Sequence, residues 1–95
     1  MRYKDFPKHD FRRCLAVLLT IEDLAARASM HYVAQELGCS RAEVSRAVDL
    51  ARRQLHVAIE KTGSVYAIAS WGFLNREQVR TALYPSHEPA LRGPI

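Results

Sequence analysis

Four arginines, Arg41, Arg46, Arg52 and Arg53, fall within one short stretch of this chain, interleaved with Ser40, Ala42, Ser45 and Asp49. An arginine guanidinium is a planar fork that pairs bidentately with phosphate oxygens and with the O6/N7 edge of guanine. Serine hydroxyls and the free amides that open a helix add donors for an anion. All but three of the 14 basic residues are Arg, and the chain carries a formal charge of +4 with a pI near 9.4. A charge of this size fits a polyanionic partner without locating it; the spacing of the arginines has to do that.

Other chemistries find less to stand on. There is no glycine-rich phosphate loop, no nucleophile elbow and no pair of carboxylates in a plausible cleft, so no catalytic residues and no enzyme activity are expected. His9, His31, His56 and His87 show no metal-ligand spacing, and no metal or cofactor is expected. Cys14 and Cys39 form no CxxC and read as two reduced, inward-facing thiols. Charged residues interrupt the N-terminus through Arg13, and the uncharged run Cys14 to Ile21 is too short to span a bilayer. A cytoplasmic protein with no membrane partner is the expectation. With 95 residues, 48% of them apolar, the chain is one small domain able to fold without staples.

The pattern that must position the arginines is helical. Residues 1–9 are basic, contain Pro7 and show no period; they read as an arm, with Phe6 its candidate for burial. From Asp10, a plausible N-cap, Phe11, Cys14, Leu15, Leu18, Ile21, Leu24, Ala25 and Ala28 recur at helical spacing, predicting a first helix over about 10–27. Glu22, Asp23 and Arg27 take its polar side. Ser29 caps a second helix, Met30 to Leu37, and Gly38 supplies a left-handed end. Ser40 caps a third helix over 41–54, with Glu43 completing a capping box and Val44, Ala47, Val48, Ala51 and Leu55 facing inward.

After the third helix the period changes. Val57, Ile59, Val65, Tyr66 and Ile68 predict a hairpin with strands near 55–61 and 64–70, turning at Gly63. Asn75 caps a short helix, Arg76 to Leu83, with Val79, Ala82 and Leu83 inward, and Tyr84-Pro85 ends it. Trp71 and Phe73 are expected in the core, or with Tyr84 on a dimer surface. Residues 85–95 hold three of the four prolines and read as a disordered tail, leaving 10–84 as the folded domain.

Ala34, Gly38, Val44 and the run Gly38-Cys39-Ser40-Arg41-Ala42-Glu43-Val44-Ser45-Arg46 resemble the helix-turn-helix of bacterial transcriptional regulators. With the hairpin added, residues 11–83 resemble the winged-helix superfamily, in the manner of the MarR-like and ArsR-like repressors. The resemblance implies a mainly α fold with a two-stranded β-hairpin, a winged helix-turn-helix. It implies double-stranded DNA as the partner, with the third helix in the major groove. Arg41, Ser45 and Arg46 would meet base edges, Ser40 and its neighbouring amides a phosphate, and Ala42 and Asp49 would share the same outward face. Arg52 and Arg53 would meet phosphate or pair with Asp49. The wing tip, Lys61, Thr62, Gly63 and Ser64, would reach a flanking groove or backbone, and Arg2, Lys4, Lys8, Arg12 and Arg13 would add phosphate contacts.

The function expected is sequence-specific binding as a small repressor, acting as a homodimer because one module buries too little to select a site alone. The chain lacks the long terminal helices of MarR-like proteins and the Cys/His/Asp clusters of ArsR-like metal sensors. No ligand cavity of the usual size, and no small-molecule ligand, is expected. Two alternatives stay open: a winged-helix protein-interaction module, and a plasmid or phage replication or partition accessory protein binding repeated DNA sites.

Overall fold

The computed structural model describes residues 3–84. The tail read at 85–95, with Arg2 and His87, lies outside them. The described chain is mainly helical, with four α-helices and one two-stranded antiparallel hairpin.

A single 3-10 turn, Tyr3–Asp5, precedes α1, Phe11–Leu24. Asp10 caps α1 by accepting the Arg12 N–H, as its position predicts. Every residue from Cys14 to Ile21 is buried, so the middle of α1 is covered all round by the other elements. Phe11, counted with the inward series, is instead 46% exposed, because it opens the helix beyond the reach of its neighbours.

The predicted first helix is also too long. Ala25 takes φ 51°, and a 3-10 turn over Ala25–Arg27 replaces the last turn of α-helix. The bend aligns Ala28 and Ser29 with the hairpin: Tyr66 N–H donates to the Ala28 carbonyl at 2.8 Å, and Ser29 bridges Val65. Long-range backbone pairing overrides a helical pattern that carries no local stop signal.

α2, Met30–Leu37, starts at Ser29, whose hydroxyl accepts the Tyr32 N–H. It ends at Gly38 with φ 71°. Cys39 N–H donates to the Ala34 carbonyl at 3.0 Å and Gly38 N–H to Gln35 at 3.3 Å, the two reverse bonds of a Schellman end. α3, Arg41–Gln54, follows at once with both halves of the Ser40/Glu43 capping box formed. Val33, Ala34, Val44, Val48 and Ala51 are buried between the helices and α1. Burying each of the three valines contributes about 1.5–3 kcal/mol, and each alanine methyl less than about 1 kcal/mol. Ala47 and Leu55, expected on the same stripe, are half-buried.

Strand β1 is Ala58–Thr62 and β2 is Val65–Ser70, paired in register Thr62 with Val65 and Ile59 with Ile68, with an irregularity at Ala58/Ile59. The predicted strands start too early, since Leu55 caps α3 and His56, at φ 57°, turns the chain into the sheet. The turn itself is only Gly63-Ser64, with Gly63 at φ 64°; Thr62 belongs to the strand. α4, Arg76–Leu83, is capped by Asn75 and buries Val79 and Leu83 against α1. Ala82, read as inward, is exposed.

Candidate nucleic-acid interface

The outer face of α3 is set by its inner stripe. Once Val44, Val48 and Ala51 are buried, helical geometry turns Arg41, Ala42, Ser45, Arg46, Asp49, Arg52 and Arg53 outward, and all seven are exposed, as is Ser40. Their side chains fare differently. Among the described residues, Arg41 and Arg46 have no ion-pair or hydrogen-bond partner. Arg53 pairs with Asp49 at 2.6 Å, an exposed (i, i+4) pair of the kind that contributes roughly 0.3–0.5 kcal/mol. Arg52 donates from Nη2 to the Ile59 carbonyl at 2.7 Å, tying the last turn of α3 to β1. Neither side chain is as free as its place on the helix suggests.

The N-terminus of α3 is also more occupied than expected. Ser40 N–H and hydroxyl both donate to Glu43 Oε1 at 3.2 Å, and Glu43 N–H donates back to the Ser40 oxygen at 3.1 Å. Ser40 is therefore spent on the cap. The amides of Arg41 and Ala42 remain without a protein acceptor among the described residues. Glu43 is held below the usual carboxylate range first by the Ser40 N–H, against the effect of burial, and then by the Tyr3 hydroxyl.

Tyr3 is the site residue that sequence reasoning missed. The segment before α1 is not a free arm: Tyr3 and Phe6 are buried, and the Tyr3 hydroxyl donates to Glu43 Oε2 at 2.9 Å. Burial, then the bond to Glu43, push this phenol up to about 12. Phe6 tucks in as foreseen. Arg12 and Arg13, expected on phosphate, are committed elsewhere. Arg12 forks onto Asp10 at 2.7 and 3.0 Å, while Arg13 donates to the Phe6 carbonyl and lies 3.6 Å from Glu43 Oε2. Lys4 and Lys8 are exposed.

At the hairpin tip Lys61, Thr62 and Ser64 are exposed, with the Lys61 ammonium 5.8 Å from the Tyr66 ring centre. The aromatic residues beyond β2 depart from the core reading, which leaves the surface reading with Tyr84 open. Phe73 is 73% exposed and Trp71 only half-buried. Gly72 explains it: a Cβ there would lie 2.2 Å from the His56 carbonyl oxygen, so the chain passes against the end of α3 and throws Phe73 outward. Phe73 stacks on His56, ring centres 4.4 Å apart. Cys14 is buried, its thiol pushed up to about 11 by burial, whereas Cys39 is only half-buried.

An open depression of about 670 Å3 lies between the N-terminal turn, the end of α1 and the end of α2, lined by Tyr3, Thr20, Asp23, Glu36, Gly38 and Tyr84 among others. Among the described residues no group of His, Cys, Asp and Glu is placed to hold a metal ion, and no helix is long and apolar enough to cross a membrane.

Comparison with protein-family profiles, curated proteins and solved structures finds no match to this chain. Any functional reading must therefore come from its own geometry. Among the described residues the arrangement offers two unpartnered guanidinium forks on one helix face and two open amides at its start, with a lysine-bearing hairpin following it in the chain. Together these suit a polyanion with regularly spaced charge.

Proposed function

We propose that this chain is a winged helix-turn-helix protein that binds double-stranded DNA sequence-specifically, as a small cytoplasmic repressor without catalytic activity. The observation that carries the reading is the state of Arg41 and Arg46: exposed on the first two turns of α3, with no protein partner among the described residues. A cation already paired must lose that partner before it meets a phosphate or base; these two need not. Their bidentate forks match guanine O6/N7, with Ser45 between them able to donate or accept.

The surrounding geometry supports the same reading. α2 and α3 are joined through Gly38 and Cys39, with small Ala34 buried where they meet. That turn matches a helix-turn-helix with α3 in the major groove. β1 and β2, with the Ala28-Ser29 rung beside β2, form the wing. Arg52 braces that wing against α3 instead of reaching for phosphate, while Lys61, Thr62 and Ser64 remain for the flanking backbone. Two copies would set their third helices in successive major grooves, about 34–36 Å apart.

Exposed Phe73 favours a second reading, contact with protein, at the C-terminal end of α3. The two readings use different ends of the helix and separate by mutation. The deciding experiment is selection of bound sites from random duplexes by the full chain. Enrichment of a motif with two half-sites is expected. No enrichment, with no duplex retained at about 50 mM salt where backbone contacts are strong, overturns the DNA reading.

A further inference from the structure

The capping box that starts α3 places a carboxylate beside the face we assign to DNA. Unrestrained, Glu43 would carry negative charge next to Arg41 and Arg46 and toward phosphate, at a cost in attraction. The structure restrains it from behind. Oε1 takes the Ser40 N–H and hydroxyl, while Oε2 takes the Tyr3 hydroxyl at 2.9 Å with the Arg13 guanidinium at 3.6 Å.

The segment supplying Tyr3 is itself anchored at several points. Phe6 is 2% exposed, Arg12 lies 4.8 Å from its ring centre, and Arg13 Nε donates to its carbonyl at 3.1 Å. Arg13 also stacks 4.8 Å from the Tyr3 ring centre. Residues 3–6 therefore form a strap that links the first turn of α1 to the first turn of α3. The Tyr3 hydroxyl faces the Cys39 thiol as well as Glu43, so it sits at the junction of the α2 end and the α3 start.

We propose that Tyr3 is a positioning residue for recognition: its hydroxyl holds the Glu43 carboxylate inward and fixes the first turn of α3, from which Arg41, Ser45 and Arg46 project. The inference rests on the DNA reading above and adds a determinant of specificity outside α3. It gives the N-terminal segment a role different from that of a basic arm. Such an arm would supply phosphate contacts blind to sequence, whereas the strap acts on the side chains that read sequence.

The test uses the full chain carrying Tyr3→Phe, Glu43→Gln and both together. The tyrosine variant keeps the ring on Arg13, and glutamine keeps an acceptor for Ser40. Amide hydrogen exchange in the free protein should rise severalfold at Glu43 and Val44 in Tyr3→Phe. Affinity for a selected duplex should fall about three- to tenfold. Affinity for a random duplex and its salt slope should hold within about twofold, since no phosphate contact is lost. All binding is measured below every melting midpoint, so a loss of folded protein, which would weaken both duplexes alike, is separable. In the Glu43→Gln background the tyrosine change should add little, because the charge it restrains is gone.

Unchanged exchange in Tyr3→Phe overturns the proposal, as does an unchanged ratio of selected to random affinity, or a full additive effect in the double variant. Each of these leaves the DNA reading intact. A wild-type chain that enriches no duplex removes both.

Discussion

The first two turns of α3 and the seam between α1 and α4 use arginine in opposite ways. At the seam, Arg76 meets Glu22 at 2.6 Å and Glu77 at 2.7 Å, while Arg80 meets Glu22 at 3.1 Å and Asp23 at 2.9 Å. Each guanidinium there is held between two carboxylates. On α3, Arg41 and Arg46 have no partner among the described residues, and the nearest carboxylate on that first turn, Glu43, is bound by Ser40, Tyr3 and Arg13. The difference shows that net charge is a poor guide to where this molecule would meet an anion. The seam holds two arginines, as many as the first two turns of α3, but has already satisfied both internally.

The comparison depends on a common core, and the largest effect should come from disturbing it. Ala34→Leu adds bulk at the meeting of α2 and α3, where Ala34 is buried. Overpacking there should lower stability by about 1–3 kcal/mol and weaken DNA binding with it. A variant that melts with wild type would mean α2 and α3 do not approach as described. Arg46→Ala comes next and should act on one region alone. Affinity for a selected site should fall by about 1–3 kcal/mol and preference at one base should relax. The melting temperature should hardly move, because the exposed side chain makes no ion pair or hydrogen bond among the described residues. An unchanged site preference would remove Arg46 from base reading.

How much of this could be read from the sequence follows from the range of the interactions involved. Ser29, Ser40 with Glu43, Gly38 and Asn75 act within a single helical turn, and each cap forms where its residue type and spacing predict. The outward set on α3 was legible for the same reason, since burying Val44 and Val48 fixes the rest of the wheel. Of its partners only the Arg53–Asp49 pair, one helical turn apart, could be read the same way. Arg52 finds the Ile59 carbonyl only because the start of β1 is set beside the last turn of α3, and Tyr3 reaches Glu43 across forty positions of sequence. Phe73 misled by its type: aromatic residues suggest burial, but Gly72 packs its backbone against His56 and leaves the next side chain outside. Ala25 carries no stop signal, and its bend follows from pairing between Ala28 and Tyr66.

A smaller effect is expected at the seam. Arg80→Ala removes its own contacts with Glu22 and Asp23, leaving Arg76 as the bridge from α4 to Glu22. The groups are partly exposed, so water screens them and the loss should be roughly 0.5–1 kcal/mol of stability. Val79 and Leu83 stay buried and keep α4 in place. Selected-site affinity should be unaffected below the melting midpoint. If Arg80→Ala weakened DNA binding as much as Arg46→Ala, paired and free arginines would not differ in use, and the contrast drawn between the two regions would fail.

The last prediction concerns the carboxylate that the free face must keep restrained. Glu43 is held below the usual carboxylate range in the folded chain, mainly by the Ser40 N–H and then by the Tyr3 hydroxyl. A carboxyl whose folded pKa is depressed binds its proton more readily when unfolded. Its contribution to stability is therefore complete above the unfolded value and is lost as pH falls through the folded one. Wild-type stability should accordingly decline below the ordinary carboxylate range, with Asp10, lowered to about 2 by Arg12, declining further down the same limb. In Glu43→Gln the upper part of that decline should flatten while the part due to Asp10 remains. Urea melts of both proteins across the acid range test this. Parallel curves would mean that the cap of α3 draws nothing from the charge on Glu43. The strap would then brace α3 by packing alone, and Tyr3 would lose the partner through which it is proposed to act.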